Sequence, residues 1–214
     1  MNVTKVSLLL AAVVATVSVG SVNAQTVRKA VQKPAQSTDA LIFDLGLLSG
    51  KPSDKLSSAG FSGESVSGLN IGVGTSQQIY KIDSDQSIDL GAVLNFSMPK
   101  VTKGSSEFSS TDIGLRFPVT YRYKLDDFGL IAGAYIGYNF SQSGKYKVSA
   151  LETTGSIDEN QFYYGLTVGG TYQVTDYRFK LAYNLTLGNV SHYKEVGAIT
   201  VGVDYTGFTL PKFF

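Results

Sequence analysis

The chain has no cysteine, no tryptophan and only one histidine among its 214 residues. Without cysteine there is no disulfide, no thiolate metal site and no cysteine-linked lipid anchor. One imidazole, His192, is too little for a transition-metal centre, and nothing in the sequence calls for a cofactor. Charge is scarce too, at 16% Asp, Glu, Lys and Arg, with no basic block of the kind that meets a nucleic acid. Lys5 is the only charge in residues 1–24; beyond it, 17 of the 18 Lys+Arg remain against 17 Asp+Glu, a net of zero. After residue 24 no apolar run reaches the ~20 residues of a spanning helix without a charge or clustered glycines.

What the chain has begins with a leader. Val6–Val19 is apolar, broken only by small hydroxyl residues, and Val22-Asn23-Ala24 puts small side chains where a signal peptidase reads. Residues 1–24 read as a secretory signal peptide cut between Ala24 and Gln25. The alternative, an anchoring helix, is too short to span. The mature chain of about 190 residues is enough for one domain. Residues 25–40 are polar, with Arg28, Lys29, Lys33 and Pro34, and read as a periplasmic arm.

Period-two alternation dominates the rest. In Phe128–Phe140 one face reads Phe128, Leu130, Ala132, Ala134, Ile136, Tyr138, Phe140, and the other Gly129, Ile131, Gly133, Tyr135, Gly137, Asn139. Alternation of this kind is a strand, and about 9–11 tilted strand residues cross a bilayer's hydrocarbon. Seven further segments repeat it: 41–47, 68–79, 87–98, 111–123, 161–174, 177–189 and 196–208. In each, an apolar face alternates with one of Gly, Ser, Thr, Asn and a few charges. Gln77 is an exception, a polar residue on the outer face of the second segment. The fold class is therefore all-β, an eight-stranded antiparallel transmembrane β-barrel, lipid-facing residues apolar and lumenal residues small or polar. A barrel domain over 41–208 and a tail over 209–214 complete the organisation, with Pro211 opposing regular pairing in the tail.

The connections alternate long and short. Leu48–Ser67, Pro99–Ser110 and Ser141–Asn160 each exceed the connection that follows, and Val190–Glu195 exceeds the one before it. Barrels of this kind have long outer loops and short periplasmic turns, so the N-terminus is placed in the periplasm. Aromatics fall at strand ends as interfacial belts: Phe96, Tyr138, Phe140, Phe162 and Tyr164 at the outer side, Tyr121, Tyr123, Phe128, Tyr172, Tyr177, Phe179 and Tyr205 at the inner.

A soluble, lipocalin-like barrel would turn the apolar face inward and charge the other face heavily. Here the other face carries only Asp44, Asp89, Asp112, Arg116, Arg122, Arg178, Lys180 and Asp204 over eight strands. Leu115-Arg116-Phe117-Pro118-Val119-Thr120-Tyr121-Arg122-Tyr123 resembles the fourth-strand segment of the porin-family small outer-membrane barrels, the OmpA/OmpX-like or PorT-like domain. Phe128–Phe140 is similar to their Gly-rich fifth strand, and Tyr177–Gly188, with Tyr183-Asn184, to their seventh. The resemblance covers about 41–208. It implies the barrel fold, the outer membrane of a Gram-negative bacterium, contact with its lipid and with the barrel-assembly machinery, and no catalytic motif. Val201–Phe208 resembles the aromatic ending of such barrels, although six residues follow.

Three functions remain open. The eight lumenal charges, four of each sign, form either an ion-paired plug or a pore lining, and eight strands leave an interior that side chains just fill. The plug is favoured, with Asp204 beside Arg178 and Lys180 on the neighbouring strand. The expectation is a monomeric, non-enzymatic barrel with a structural or surface-interaction role and an unidentified extracellular ligand at its loops, with no nucleic acid as partner. A narrow channel for small solutes is the alternative. A lipid-modifying enzyme is third, since Ser191 and His192 are adjacent and point apart in an extended segment.

Overall fold

A computed structural model describes residues 39–148, 151–156, 162–187, 189–190 and 192–207. The leader with its Ala24–Gln25 junction, most of the arm and the tail lie outside them. Eight strands form the barrel: β1 Ala40–Pro52, β2 Val66–Lys81, β3 Gln86–Lys103, β4 Ser106–Leu125, β5 Phe128–Val148, β6 Phe162–Val174, β7 Tyr177–Leu187 and β8 Tyr193–Tyr205. Each pairs antiparallel with its neighbours in sequence, and β1 pairs with β8, so the sheet closes. Leu45, for instance, lies opposite Ile71 on one side and Val201 on the other. Closure removes the free edges an open sheet would expose. Two short pieces accompany the barrel: Leu151–Ser156 pairs with the far end of β5, and Asn189–Val190 with the start of β8.

The alternation sets the faces. Phe43, Leu45, Leu130, Ile136, Leu181 and Val201 point outward and are each more than half exposed. An apolar belt on every strand is far more than a water-soluble surface carries, and a bilayer is the solvent that suits it. The short turns are tight. Asp126 (φ 55°) and Thr175 (φ 52°) take the left-handed backbone of two-residue hairpins. Asp83 Oδ1 accepts from the N–H groups of Asp85 and Gln86, both at 2.8 Å.

The strands overrun their expected limits at the end bearing the long connections. Pro99–Ser110 is not a loop: β3 and β4 continue to a tight turn at Gly104 (φ 57°). Much of Ser141–Asn160 continues β5 and its partner Leu151–Ser156. β1 runs to Pro52, and β8 starts at Tyr193 rather than Val196. β7 ends at Leu187, two residues early. Ala40, expected in the arm, is the first residue of β1, buried beside Asp39. The reason lies in polarity: the period of two persists, but the two faces exchange chemistry. On β3 the outward series Leu94, Phe96, Met98 is followed by Lys100, and the inward Asn95, Ser97 by buried Val101. A search for outward apolar residues stops there although the strand does not. Gln77 keeps its regular place opposite Leu90, and the register shifts only beyond it, at Gln78/Tyr80.

Candidate functional site

The lumen carries three layers, taken from the short-turn end to the long-loop end. The first is ionic. Seven of the eight expected lumenal charges meet there. Arg178 Nε and Nη2 donate to Asp204 Oδ2 at 2.9 and 2.7 Å. Lys180 Nζ lies 2.7 Å from Asp44 Oδ1 and 3.7 Å from Asp204 Oδ1. Arg116 Nη2 donates to Asp44 Oδ2 at 3.3 Å, and Arg122 pairs with Asp89. The closure of the sheet makes this possible. Register sets Asp44 against Gly202, and Gly202 against Lys180, so the glycine leaves room for lysine to cross to β1. A Cβ there would sit 2.3 Å from Asp44 Oδ1.

The second layer is a partition. The Arg116 guanidinium lies 5.4 Å from the Tyr135 ring centroid, and the Tyr135 hydroxyl hydrogen-bonds Thr186 Oγ1 at 2.9 Å. Tyr135 and Tyr163 meet edge to face at 6.3 Å. Each ring covers a glycine across the strand pair: Tyr135 faces Gly165, and Tyr163 faces Gly137. Arg116, Tyr135 and Asn184 line cavities on both sides, about 60 Å³ toward the ionic layer and about 70 Å³ beyond it. Asp112, the eighth charge, lines only the second cavity, with Asn70, Asn95 and Asn139. Of the ionic layer, Arg116 lines this cavity with it.

The third layer closes the lumen at the loop end. Leu56, Phe61, Val66, Val101, Phe108 and Tyr193 form a buried apolar cluster, with Tyr146 and Val196 packed against it. The first connection folds inward to supply two of these. Ser53 caps a short helical turn, Asp54–Leu56, its Oγ accepting from Leu56 N at 3.5 Å. Gly60 (φ 105°) then bends the chain so that Phe61 enters the mouth, edge on to Tyr146 at 5.9 Å. Three contacts tie this segment down and a fourth flanks it between β1 and β8. Ser53 N donates to His192 O at 2.7 Å, Lys103 Nζ to Gly60 O at 2.6 Å and Lys194 Nζ to Asp54 Oδ1 at 2.7 Å, and Lys51 pairs with Glu195. Glu195 (φ 52°) interrupts the alternation of β8, which turns Tyr193 inward.

Sequence reasoning did not anticipate the partition or the cap. The partition left a signal: Tyr135-Ile136-Gly137 and Tyr163-Tyr164-Gly165 place tyrosine and glycine on the inward face of consecutive strands in the same sequence order. Antiparallel pairing then sets each ring on the other's glycine. The cap left less, since Leu56 and Phe61 belong to no periodic segment. His192 sits in it, its ring 5.0 Å from Phe108; Ser191 lies outside the described residues.

No protein-family model and no curated protein matches the chain. Solved structures do. Neisserial surface protein A (NspA) superposes with a TM-score of 0.52 at 16% identity, over 79% of this chain and 97% of that one. Ail, the attachment invasion locus protein of Yersinia pestis, solved with the heparin analogue sucrose octasulfate, gives 0.42 at 11%, over 78% and 96%. The outer membrane enzyme PagL gives 0.40 at 10%, over 76% and 98%. The chain has the fold of the small eight-stranded outer-membrane β-barrels, and its location is the outer membrane of a Gram-negative bacterium.

Proposed function

We propose that this barrel is a sealed, monomeric membrane scaffold that presents a structured extracellular surface, and that it neither conducts nor catalyses. One observation carries the reading: the lumen is obstructed twice, by the ionic layer around Asp44 and by the apolar cap around Phe61. An ion would have to break buried pairs and then cross an apolar plug, and each step is costly. The extended strands and the docked first connection then form the outward surface, and an extracellular ligand binds there. Its other partners are membrane lipid and, during biogenesis, the assembly machinery. Against catalysis stands the placement of His192, the chain's only histidine, against Phe108 in the cap.

Planar-bilayer recording of the purified protein tests the reading. The expected result is no unitary conductance across several hundred millivolts. Steady, reproducible unitary steps would overturn it in favour of a narrow solute channel.

A further inference from the structure

The outer face of the barrel changes chemistry along one row of paired residues. Ser49 on β1 lies opposite Ser67 on β2, and Ser67 opposite Lys100 on β3. Lys100 lies opposite Ser109 on β4, and Ser109 opposite Lys145 on β5. Val101, Phe108 and Tyr146, the residues next to the last three, belong to the apolar cap within, so this row faces out. Each of its five members is a lysine or a serine, and none is a carboxylate. Two residues nearer the membrane on β1, β2 and β3 stand Leu47, Leu69 and Met98, all exposed. Lys100 and Lys145 flank Ser109 from its two neighbouring strands, with backbones about 10 Å apart, and both are exposed. Two lysine side chains can meet across that span on one anion above the serine hydroxyl. One row further out the charges are mixed, with Lys147 opposite Glu107 and Glu152. Glu107 Oε2 lies 2.7 Å from Lys100 Nζ and takes one of its three N–H donors. Cations without acid are thus confined to the row that borders the apolar belt.

We propose that Lys100, Ser109 and Lys145 bind one phosphate group of an anionic lipid in the outer leaflet, whose acyl chains run down the barrel over Met98 and Leu115. The order of chemistry on the protein matches that of such a lipid: cations and hydroxyls over an apolar wall, a phosphate over hydrocarbon. Attraction of lysines to an anionic leaflet falls off within a Debye length, and this row borders the headgroups. Lysine acts on phosphate as a point charge, and the serine adds a neutral donor. A phosphomonoester, with its greater charge, is preferred over a zwitterionic headgroup. The site lies on the outside of the wall, so it goes beyond the sealed-lumen reading and does not depend on it.

The test uses the full barrel refolded in nonionic detergent, with phosphatidic acid as the probe and phosphatidylcholine and inorganic phosphate as comparisons. Native mass spectrometry counts the lipids bound. The first phosphatidic acid should bind more tightly than either comparison. The double variant Lys100→Gln, Lys145→Gln should weaken it about thirtyfold, at about fivefold for each lysine near an anionic headgroup. Lys81→Gln with Lys124→Gln, at the short-turn end, should leave it unchanged. Should the first variant not fold, acetic anhydride labelling of the unaltered protein decides: phosphatidic acid should shield Lys100 and Lys145 and leave Lys81 and Lys124 reactive. Equal binding of phosphatidylcholine, equal loss in the two double variants, or no shielding would overturn the proposal. Inorganic phosphate bound as tightly as the lipid would overturn it as well, since the acyl chains would then contribute nothing. A conductance in planar bilayers would bear on the sealed lumen alone.

Discussion

At one level of the barrel Leu45, Val201 and Leu181 lie side by side on the outside, while Asp44, Gly202 and Lys180 lie side by side within. Higher up, Lys100, Ser109 and Lys145 are outside, and Val101, Phe108 and Tyr146 are within. The backbone pairing is the same at both levels. Only the chemistry of the two faces has exchanged. The lower level is built for lipid outside and so must fill its interior with paired charges and small polar groups. The upper level is built for water outside, and there the ordinary apolar core returns. One continuous sheet thus carries both arrangements, and the exchange, between Met98 and Lys100 on β3, marks the edge of the hydrocarbon.

Breaking the lower interior should have the largest effect. Asp44 pairs with both Arg116 and Lys180 and is almost fully buried. Asp44→Asn takes the carboxylate partner from Arg116 and the nearer of two from Lys180, and the loss of one partner from a buried pair costs about 3–5 kcal/mol. Urea unfolding of the refolded barrel measures it. A loss under about 1 kcal/mol would mean that the lower lumen is wet enough to screen its charges, and the contrast between the levels would fail.

The outer faces come next. Leu181→Arg sets a charge among lipid-facing neighbours and should cost about 2–4 kcal/mol if it lies near the midplane. Ser109→Arg, on the outward face of the upper level, should stay within about 0.5 kcal/mol, as most surface changes do. Unfolding in lipid vesicles compares them. Equal costs would place both levels in the same solvent.

This exchange also explains what was legible in the sequence. All eight strands and their faces follow from alternation, because lipid outside enforces an apolar residue at every second position. Strand ends do not, because an extended strand above the membrane, Pro99–Lys103 for example, keeps the period and loses the apolar mark. The lumenal charges were readable as inward residues, and Asp204 beside Arg178 and Lys180 followed from strand adjacency, but the reach of Lys180 and Arg116 to Asp44 did not. The placement of Asp112 in a second cavity, shared with Arg116 but not with the other six, depends on side-chain reach and on where Tyr135 and Tyr163 stand. The cap was hidden for a different reason. Leu56 and Phe61 are brought in by a helical turn and a left-handed glycine, and neither belongs to a repeating pattern.

The cap should prove a separate unit of stability. Removing a buried phenylalanine from an ordinary core costs about 3–5 kcal/mol. Phe61, however, arrives on a connection that can detach while every strand stays paired. Phe61→Ala should therefore shift barrel unfolding by less than about 1 kcal/mol and sharply raise proteolytic cleavage within residues 53–66. A full loss in global stability would show cap and barrel to be one cooperative unit.

The smallest effect is expected where the cap meets its latches. Lys194–Asp54 joins the first connection to the start of β8, Lys51–Glu195 joins the end of β1 to it, and in both pairs at least one side chain is well exposed. Exposed pairs add little and are screened by salt, whereas the apolar contacts of Phe61 and Leu56 are not. Asp54→Asn should therefore raise cleavage within residues 53–66 far less than Phe61→Ala does, and high salt should reproduce that modest rise in the unaltered protein. If Asp54→Asn matched Phe61→Ala, the upper level would depend on charge as much as the lower one does. The cap would then be held by its rim and not by its core.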